Sequence, residues 1–197
     1  MDPPACAVSA ALIADALVAA AWIALGVDTV RVTRRAGQSA MPRPPRAARV
    51  AVLVLLLGAV ALLEARAGGR LGFHPAAAIA GVALAWAGVA LHARARRVLG
   101  ARWSSAVGVP AGHALVTDGP YAVVRHPLYA GILLLAAGTG LAHPSWATLC
   151  VAVGLTAGMA FKIPAEERAL RAACGDAWMR YAAAVPALLP RLSRASR

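Results

Sequence analysis

Long apolar runs are the feature that most constrains the fold of this chain. A helix needs about 20 largely apolar residues to cross the hydrocarbon core of a bilayer. The 197-residue sequence is 60% hydrophobic and only 14% charged, and its apolar residues are concentrated in long stretches. A soluble domain of this size has roughly a quarter of its residues charged. The apolar excess therefore predicts an all-α integral membrane protein.

The apolar runs predict about five transmembrane helices within a single membrane domain, residues 1–197. These runs are Ala5 to Val27, Val50 to Leu63, Leu71 to Ala93, Leu128 to Ala142, and Ser145 to Phe161. The second run is short, and its flanking charges can snorkel to extend it. Residues 1–97 are predicted to form a three-helix part, and residues 98–197 a motif region with a helical hairpin and a C-terminal helix.

The basic residues are distributed unevenly and predict the orientation. Eighteen of the twenty Lys and Arg residues fall in three alternate segments: between the first and second runs, between the third and fourth, and after the fifth. By the positive-inside rule these segments are cytoplasmic, which places the N-terminus outside and the C-terminus inside. The net charge of +12 thus reflects membrane topology, and no nucleic-acid partner is predicted.

The cytoplasmic tail predicts an amphipathic helix from Pro164 to Tyr181. Pro164 suits the first turn of a helix, where its missing N–H costs little. Glu166 and Glu167 follow near the positive end of the helix dipole. The three cysteines of the chain are far apart and lack metal-ligand spacing, so no metal site is predicted.

Two blocks of polar residues flank the predicted hairpin. The first begins at His113 and ends at Gly131, with the sequence His-Ala-Leu-Val-Thr-Asp-Gly-Pro-Tyr-Ala-Val-Val-Arg-His-Pro-Leu-Tyr-Ala-Gly. The second begins with Glu166-Glu167 and ends at Tyr181. Since a hairpin enters the membrane and returns, both blocks are expected at the same face, where they can build one site.

This ordered set resembles the isoprenylcysteine carboxyl methyltransferase family and the related phospholipid methyltransferases. The shared pattern is Leu-Val-Thr-x-Gly-x-Tyr, then Arg-His-Pro-x-Tyr-x-Gly, a membrane hairpin, and Glu-Glu-x-x-Leu before a Gly and a Tyr. The resemblance covers residues 98–190, and Val185-Pro186 also look like family positions.

The resemblance implies S-adenosyl-L-methionine as the methyl donor, with S-adenosyl-L-homocysteine as the product. It also implies that the C-terminal helix closes the cofactor site. The implied cofactor-binding residues are His113, Ala114, Leu115, Val116, Tyr121, His126, Pro127, Leu128, Tyr129 and Glu166.

Three residues are candidate catalytic residues: Arg125 and His126 in the first block, and Lys162 just before the second. By position alone, Arg125 is an interfacial anchor. His126 is either a general base or a hydrogen-bonding wall of the pocket. Lys162 stands where animal-type members of the family have an Arg that engages the substrate carboxylate. Lysine keeps that charge but loses the bidentate fork of the guanidinium.

The resemblance implies a lipophilic or small methyl acceptor that enters from the surrounding membrane lipids: an isoprenylcysteine-like carboxylate, a phospholipid amine or a thiol. The alternatives are an NADPH-dependent membrane reductase of the sterol-reductase type and a non-catalytic membrane protein. The sequence leaves the oligomeric state open, because small residues are abundant in every predicted helix. Asp15 and Glu64 are costly at membrane depth, and both are left outside the predicted site.

Overall fold

The computed structural model describes residues 5–35, 71–100 and 115–191. This part of the chain contains helices α1 (Ala5–Arg35), α2 (Pro75–Leu99), α3 (Pro127–Ala142) and α4 (Trp146–Ala184), with a short 3-10 helix at Gly119–Ala122. The all-α prediction is confirmed for these residues. The predicted helix from Val50 to Leu63 and the site residues His113 and Ala114 lie outside the described residues.

Three described helices are long and apolar enough to cross a membrane: Ser9–Thr29 within α1, and α2 and α4 in full. Helix α3 is a shorter apolar helix of 16 residues. At 1.5 Å per residue it is about 24 Å long, somewhat less than the hydrocarbon core. The helices thus have the composition and length of an integral membrane protein.

The helix boundaries differ from the hydropathy runs at residues that start or stop helices. Helix α2 begins at Pro75 rather than at Leu71, because proline fits the first helical turn. It continues past Ala93 to Leu99 and ends at Gly100, whose N–H still bonds the Arg96 carbonyl. The φ of 53° at Gly100 then turns the chain out of the helix. Charged residues at the end of α2 therefore belong to the helix rather than to the following loop.

The predicted start of a separate tail helix at Pro164 is wrong. Helix α4 runs from Trp146 through Pro164 to Ala184, and the non-helical backbone occurs at Gly175, with φ 53° and ψ −127°. Proline inside a membrane helix removes one backbone donor, which neighbouring groups can compensate. Gly175 breaks the helix because glycine adopts a positive φ without a Cβ clash. The tail thus continues the last membrane helix and changes direction one turn before Trp178.

Helices α2 and α3 pack antiparallel, with their backbones in contact at glycines. A Cβ added to Gly88 would lie 2.5 Å from the Gly131 carbonyl oxygen, and one added to Gly138 would lie 2.5 Å from the Gly81 oxygen. Only glycine permits so close an approach, which is a common form of helix packing in membranes. This contact fixes the position of the first turn of α3 relative to α2.

Helix α1 packs against α2 and α3 through a small apolar core and polar contacts. Val18, Ala21 and Leu25 are buried in that core. Trp22 Nε1 donates a 3.0 Å hydrogen bond to Thr139 Oγ1 on α3. The polar contacts hold α1 in register against its neighbours.

Asp15 and His143 form a buried pair that joins α1 to the turn between α3 and α4. Their Oδ1 and Nε2 atoms are 2.9 Å apart, and both side chains are almost fully buried. A charge in the membrane is normally paired within the protein, and this pairing gives Asp15 a structural partner.

Candidate active site

Glu166 lies on α4 where this helix passes the first turn of α3. The Tyr129 hydroxyl donates a 2.5 Å hydrogen bond to Glu166 Oε1. Lys162, one turn earlier on α4, places Nζ 3.5 Å from the same oxygen and 5.2 Å from the centre of the Tyr129 ring. A phenol and an ammonium group thus orient one oxygen of this carboxylate.

The adjacent carboxylate, Glu167, binds the Arg-His pair that precedes α3. Glu167 Oε1 lies 3.1 Å from His126 Nε2 and 2.9 Å from Arg125 Nη2. Because a carboxylate only accepts hydrogen bonds, His126 Nε2 carries a proton. His126 Nδ1 lies 3.9 Å from Glu166 Oε2, and its ring stacks on Tyr129 with centroids 5.8 Å apart. His126 is therefore held between the two carboxylates.

The Arg125 side chain fastens the end of α4 to this cluster. Nη1 donates to the Ala182 carbonyl at 2.7 Å and to the Val185 carbonyl at 2.6 Å, while Nε donates to Glu167 at 3.0 Å. The guanidinium carbon also lies 5.9 Å from the centre of the Trp178 ring. These contacts give Arg125 a positioning role, because its donors point to the protein.

The segment after α4 is also held by backbone hydrogen bonds. The Arg125 N–H donates to the Pro186 carbonyl at 2.8 Å, and the His126 N–H donates to the Ala187 carbonyl at 3.0 Å. The start of α3 and the end of the described chain therefore form one connected wall beside Glu166 and Glu167.

Tyr121 lies within the 3-10 helix and is buried. Its backbone carbonyl accepts a 2.7 Å hydrogen bond from the Tyr181 hydroxyl. Its own hydroxyl has no hydrogen-bond partner among the residues that the structure describes. Burial raises the pKa of Tyr121, with nearby Tyr181 adding to the effect and Arg96 opposing it. The phenol is therefore a neutral hydrogen-bonding group.

Glu166, Glu167 and the side chains that contact them lie within a segment that matches a known protein family. Residues 81–172 match the Isoprenylcysteine carboxyl methyltransferase (ICMT) family, a stretch that runs from α2 through the Glu166-Glu167 pair. The resemblance to the ICMT family is confirmed. The matched segment contains both carboxylates and the residues bound to them at the start of α3.

Two curated relatives each match about 80 residues of the chain. One is "Protein-S-isoprenylcysteine O-methyltransferase B" of Arabidopsis thaliana, 39% identical over 80 residues, which are 40% of this chain and 40% of the relative. The other is "Protein-S-isoprenylcysteine O-methyltransferase" of Schizosaccharomyces pombe, 38% identical over 79 residues, which are 40% of this chain and 34% of the relative. The chain thus spans less than half the length of the curated relatives it matches.

A solved structure shares the fold. It is the eukaryotic intramembrane Ras methyltransferase ICMT (isoprenylcysteine carboxyl methyltransferase), determined without a monobody. The TM-score is 0.56 at 21% sequence identity, and the match covers 77% of this chain and 55% of the other. The ICMT-like helix arrangement therefore extends beyond the segment matched in sequence.

Within this ICMT-like fold the structure brings most of the predicted site residues together. Arg125, His126, Tyr129, Lys162 and Glu166 belong to one contact network. Pro127 is fully buried at the first position of α3, while Leu128 is half-buried in the same turn. The half-buried residues Leu115 and Val116 precede the 3-10 helix.

Glu167 and Tyr181 are two contact residues that the predicted site did not include. Glu167 binds both Arg125 and His126, and Tyr181 secures the Tyr121 backbone. Both are conspicuous in the sequence motif, as the second glutamate and the closing tyrosine. Their pairing partners lie 41 to 60 residues away along the chain, so the motif alone did not reveal what they bind.

Proposed function

We propose that this chain is a membrane-embedded, S-adenosyl-L-methionine-dependent methyltransferase. Its acceptor is a lipophilic molecule that reaches the site from the bilayer, and an S-isoprenylcysteine carboxylate is the leading candidate. The observation that carries the proposal is the network in which the start of α3 meets Glu166 and Glu167 on α4. The match to the ICMT family and the names of the two curated relatives support the same activity.

The residues at the site fit this cofactor. When bound, the cofactor supplies a methyl group activated by a sulfonium, together with hydroxyl, ammonium and carboxylate groups that need partners. The Glu166 carboxylate, held by Tyr129 and Lys162, accepts hydrogen bonds from hydroxyl or ammonium groups. The buried Tyr121 hydroxyl, which has no partner in the described ranges, supplies a further hydrogen-bonding group.

The protein contributes orientation rather than proton chemistry to the transfer. Arg125 and His126 hold Glu167 and the end of α4 in place, so that the pocket wall is fixed before ligands bind. Methyl transfer needs alignment of the nucleophile with the methyl group, and it is aided by exclusion of water. On this basis His126 is a wall of the pocket, and Arg125 is a positioning residue.

In this proposal Lys162 binds the anionic end of the acceptor. Its side chain is 40% exposed, and its ammonium group already lies near Glu166 and Tyr129. An ammonium attracts a carboxylate without the paired geometry of a guanidinium. We therefore expect carboxylate acceptors to bind more weakly than they would opposite an arginine, and phospholipid amines or thiols are the alternative acceptors.

The proposed topology has five spanning helices, with the N-terminus outside and the site on the cytoplasmic face. The basic residues support this orientation. In this arrangement the end of α4 forms the cytoplasmic helix that closes the cofactor site. Residues 1–97 form the N-terminal three-helix part of a single membrane domain, and residues 98–197 contain the cofactor-binding motifs.

Calorimetric titration of the purified, detergent-solubilised protein tests the proposal. S-adenosyl-L-homocysteine and NADPH are the two ligands, and intact secondary structure is verified by circular dichroism. Saturable binding of the first ligand alone is the expected result. Binding of NADPH alone would identify a reductase, and binding of neither by folded protein would favour a non-catalytic role.

The acceptor is identified with radiolabelled methyl donor and three probes. These are N-acetyl-S-farnesylcysteine, phosphatidylethanolamine and dodecanethiol, presented in the same detergent micelles. Label transferred to the farnesylcysteine carboxylate as a base-labile ester supports the leading acceptor. Label on the amine or thiol instead would replace it with one of the alternatives.

A further inference from the structure

A second group of buried polar side chains lies at the C-terminal end of α2. His92 and Arg96 are 4% and 5% exposed. They are four residues apart and so share one face of the helix. Arg96 Nε lies 3.5 Å from Asp28 Oδ2 on α1. Neither His92 nor Arg96 belongs to the site predicted from the motif, although both fall in the segment that matches the ICMT family.

His92 has a defined hydrogen-bonding state. Its Nδ1 lies 3.0 Å from the Leu128 carbonyl oxygen in the first turn of α3. A carbonyl only accepts, so Nδ1 carries the proton and Nε2 of the neutral ring is an acceptor. Nε2 is buried and has no hydrogen-bond partner among the described residues. Such atoms are uncommon in folded proteins, and this one offers an acceptor beside the cofactor-binding turn.

Tyr121 connects this group to the Glu166 site. The 3-10 helix packs on the end of α2, where a Cβ added to Gly119 would lie 3.2 Å from Val98 Cγ2. The charge of Arg96 lowers the pKa of the Tyr121 phenol, and the charge of Glu166 raises it. Its buried hydroxyl is the second polar atom here that lacks a partner in the described ranges.

We infer that His92, Arg96 and Tyr121 form the subsite for the amino acid end of the methyl donor. His92 Nε2 accepts a hydrogen bond from the ammonium group, while Arg96 and the Tyr121 hydroxyl donate to the carboxylate. A guanidinium has five N–H donors, so it can serve a ligand carboxylate together with Asp28. Glu166 then receives the ribose hydroxyls. This inference rests on the proposed function.

The test compares two ligands that differ in the amino acid end. S-adenosyl-L-homocysteine and 5′-methylthioadenosine share the adenosine and a thioether, but only the first carries the ammonium and carboxylate groups. Calorimetric titration of the full chain with both ligands therefore separates this subsite from the rest of the pocket. The readout is the ratio of the two dissociation constants, which needs no acceptor and no turnover.

Tyr121→Phe and His92→Asn are the deciding variants. Tyr121→Phe removes only the hydroxyl, and His92→Asn keeps an N–H near the Leu128 carbonyl while removing the acceptor at Nε2. Each is expected to weaken S-adenosyl-L-homocysteine binding about tenfold, as for loss of a hydrogen bond to a charged group. Affinity for 5′-methylthioadenosine should not change.

Arg96→Gln tests the cation, with Arg97→Gln as the matched control. Arg97 is the next residue of α2 and is exposed. Arg96→Gln should weaken S-adenosyl-L-homocysteine binding about 10- to 100-fold, and Arg97→Gln should leave it unchanged. If Arg96→Gln fails to fold without its contact to Asp28, the other two variants decide the question, because both retain that contact.

Two results would overturn the subsite. One is unchanged binding of S-adenosyl-L-homocysteine in Tyr121→Phe and His92→Asn. The other is an equal loss for both ligands, which would show a general structural effect. Wild-type protein that binds neither ligand would instead refute the methyltransferase proposal itself, and the subsite with it.

Discussion

At the scale of single residues, Glu166 is the carboxylate that we propose as the cofactor contact. Its Oε1 is occupied by Tyr129 and Lys162, whereas Oε2 lies 3.9 Å from His126, beyond hydrogen-bond distance. The side chain is therefore oriented by its neighbours and retains capacity to accept further hydrogen bonds. The adjacent Glu167 has a different role, because its contacts are to Arg125 and His126.

Replacing Glu166 or Tyr129 by alanine should weaken cofactor binding and leave the membrane fold intact. Glu166→Ala removes the acceptor, and Tyr129→Ala removes both its anchor and the ring stacked on His126. We expect S-adenosyl-L-homocysteine affinity to fall about tenfold or more, measured by calorimetry. Asp176→Asn, an exposed acid on the same helix, is the control. Equal affinity in both variants and the wild type would refute the pocket assignment.

Arg125→Ala should act first on stability. The variant leaves the carbonyls of Ala182 and Val185 without their donor and leaves Glu167 without its strongest cation. Unpaired polar groups of this kind cost about 1–3 kcal/mol each. We expect a clear decrease in the thermal unfolding midpoint in detergent. An unchanged midpoint accompanied by lost turnover would instead assign Arg125 to the chemistry.

At the scale of helices, the glycine contacts between α2 and α3 determine the geometry of the site. Gly88 and Gly131 meet backbone to backbone, and His92 is the next turn along α2. A wider separation of these helices would move the Leu128 carbonyl away from His92 Nδ1. The small residues therefore position polar groups as well as permitting close packing.

Gly131→Ala should destabilise the protein although alanine favours helices. The new Cβ would lie 2.7 Å from the Gly88 oxygen and 2.9 Å from His92 Cβ, and overpacking of this kind costs about 1–3 kcal/mol. Gly140→Ala is the matched control on the same helix, since nothing lies within 4 Å of its added Cβ. Thermal unfolding in detergent should separate the two, and equal midpoints would contradict the described packing.

At the scale of the whole molecule, polar contacts fix α1 against the helices that build the site. The Asp15–His143 pair holds one end of α1 at the α3–α4 turn, and the Asp28–Arg96 contact holds the other end beside the site. Trp22 bonds Thr139 between them. The position of Arg96 thus depends on how α1, a helix outside the motif region, packs against the other helices.

A double-mutant cycle measures the coupling energy between Asp15 and His143, the pair that holds α1 at the α3–α4 turn. Asp15→Asn and His143→Gln should each destabilise the protein, and the double variant should lose less than the sum. The coupling expected for direct contacts is about 0.5–3 kcal/mol, read from thermal unfolding. Additive losses would show that the two side chains stabilise the fold independently.

The orientation of the whole chain is tested with reporters at its ends. The distribution of basic residues predicts an external N-terminus and a cytoplasmic C-terminus. Fusion of a C-terminal reporter that is active only in the cytoplasm should therefore give a signal. A reporter that reads out on the external side would refute this topology and place the site away from the cytosolic methyl donor.

The helical membrane class, a helix over residues 128–142 and the two polar blocks that meet at the site could be predicted from the sequence alone; α3 begins one residue earlier, at Pro127. These properties are local, because hydropathy, proline position and motif spacing can be recognised in the sequence without knowledge of packing. The course of α4 was harder to predict, because proline usually marks a helix boundary. Pro164 nevertheless lies inside this helix.

The contacts between residues that are distant in the sequence could be identified only from the packing of the helices. Arg125 binds carbonyls 57 and 60 residues away, and His92 reaches a carbonyl 36 residues away. Such pairs depend on how closely neighbouring helices approach and on the rotation of each helix about its axis. Those quantities arise from the combined packing of all the helices. For that reason the motif predicted which residues belong to the candidate site, whereas their individual contacts are seen only in the folded structure.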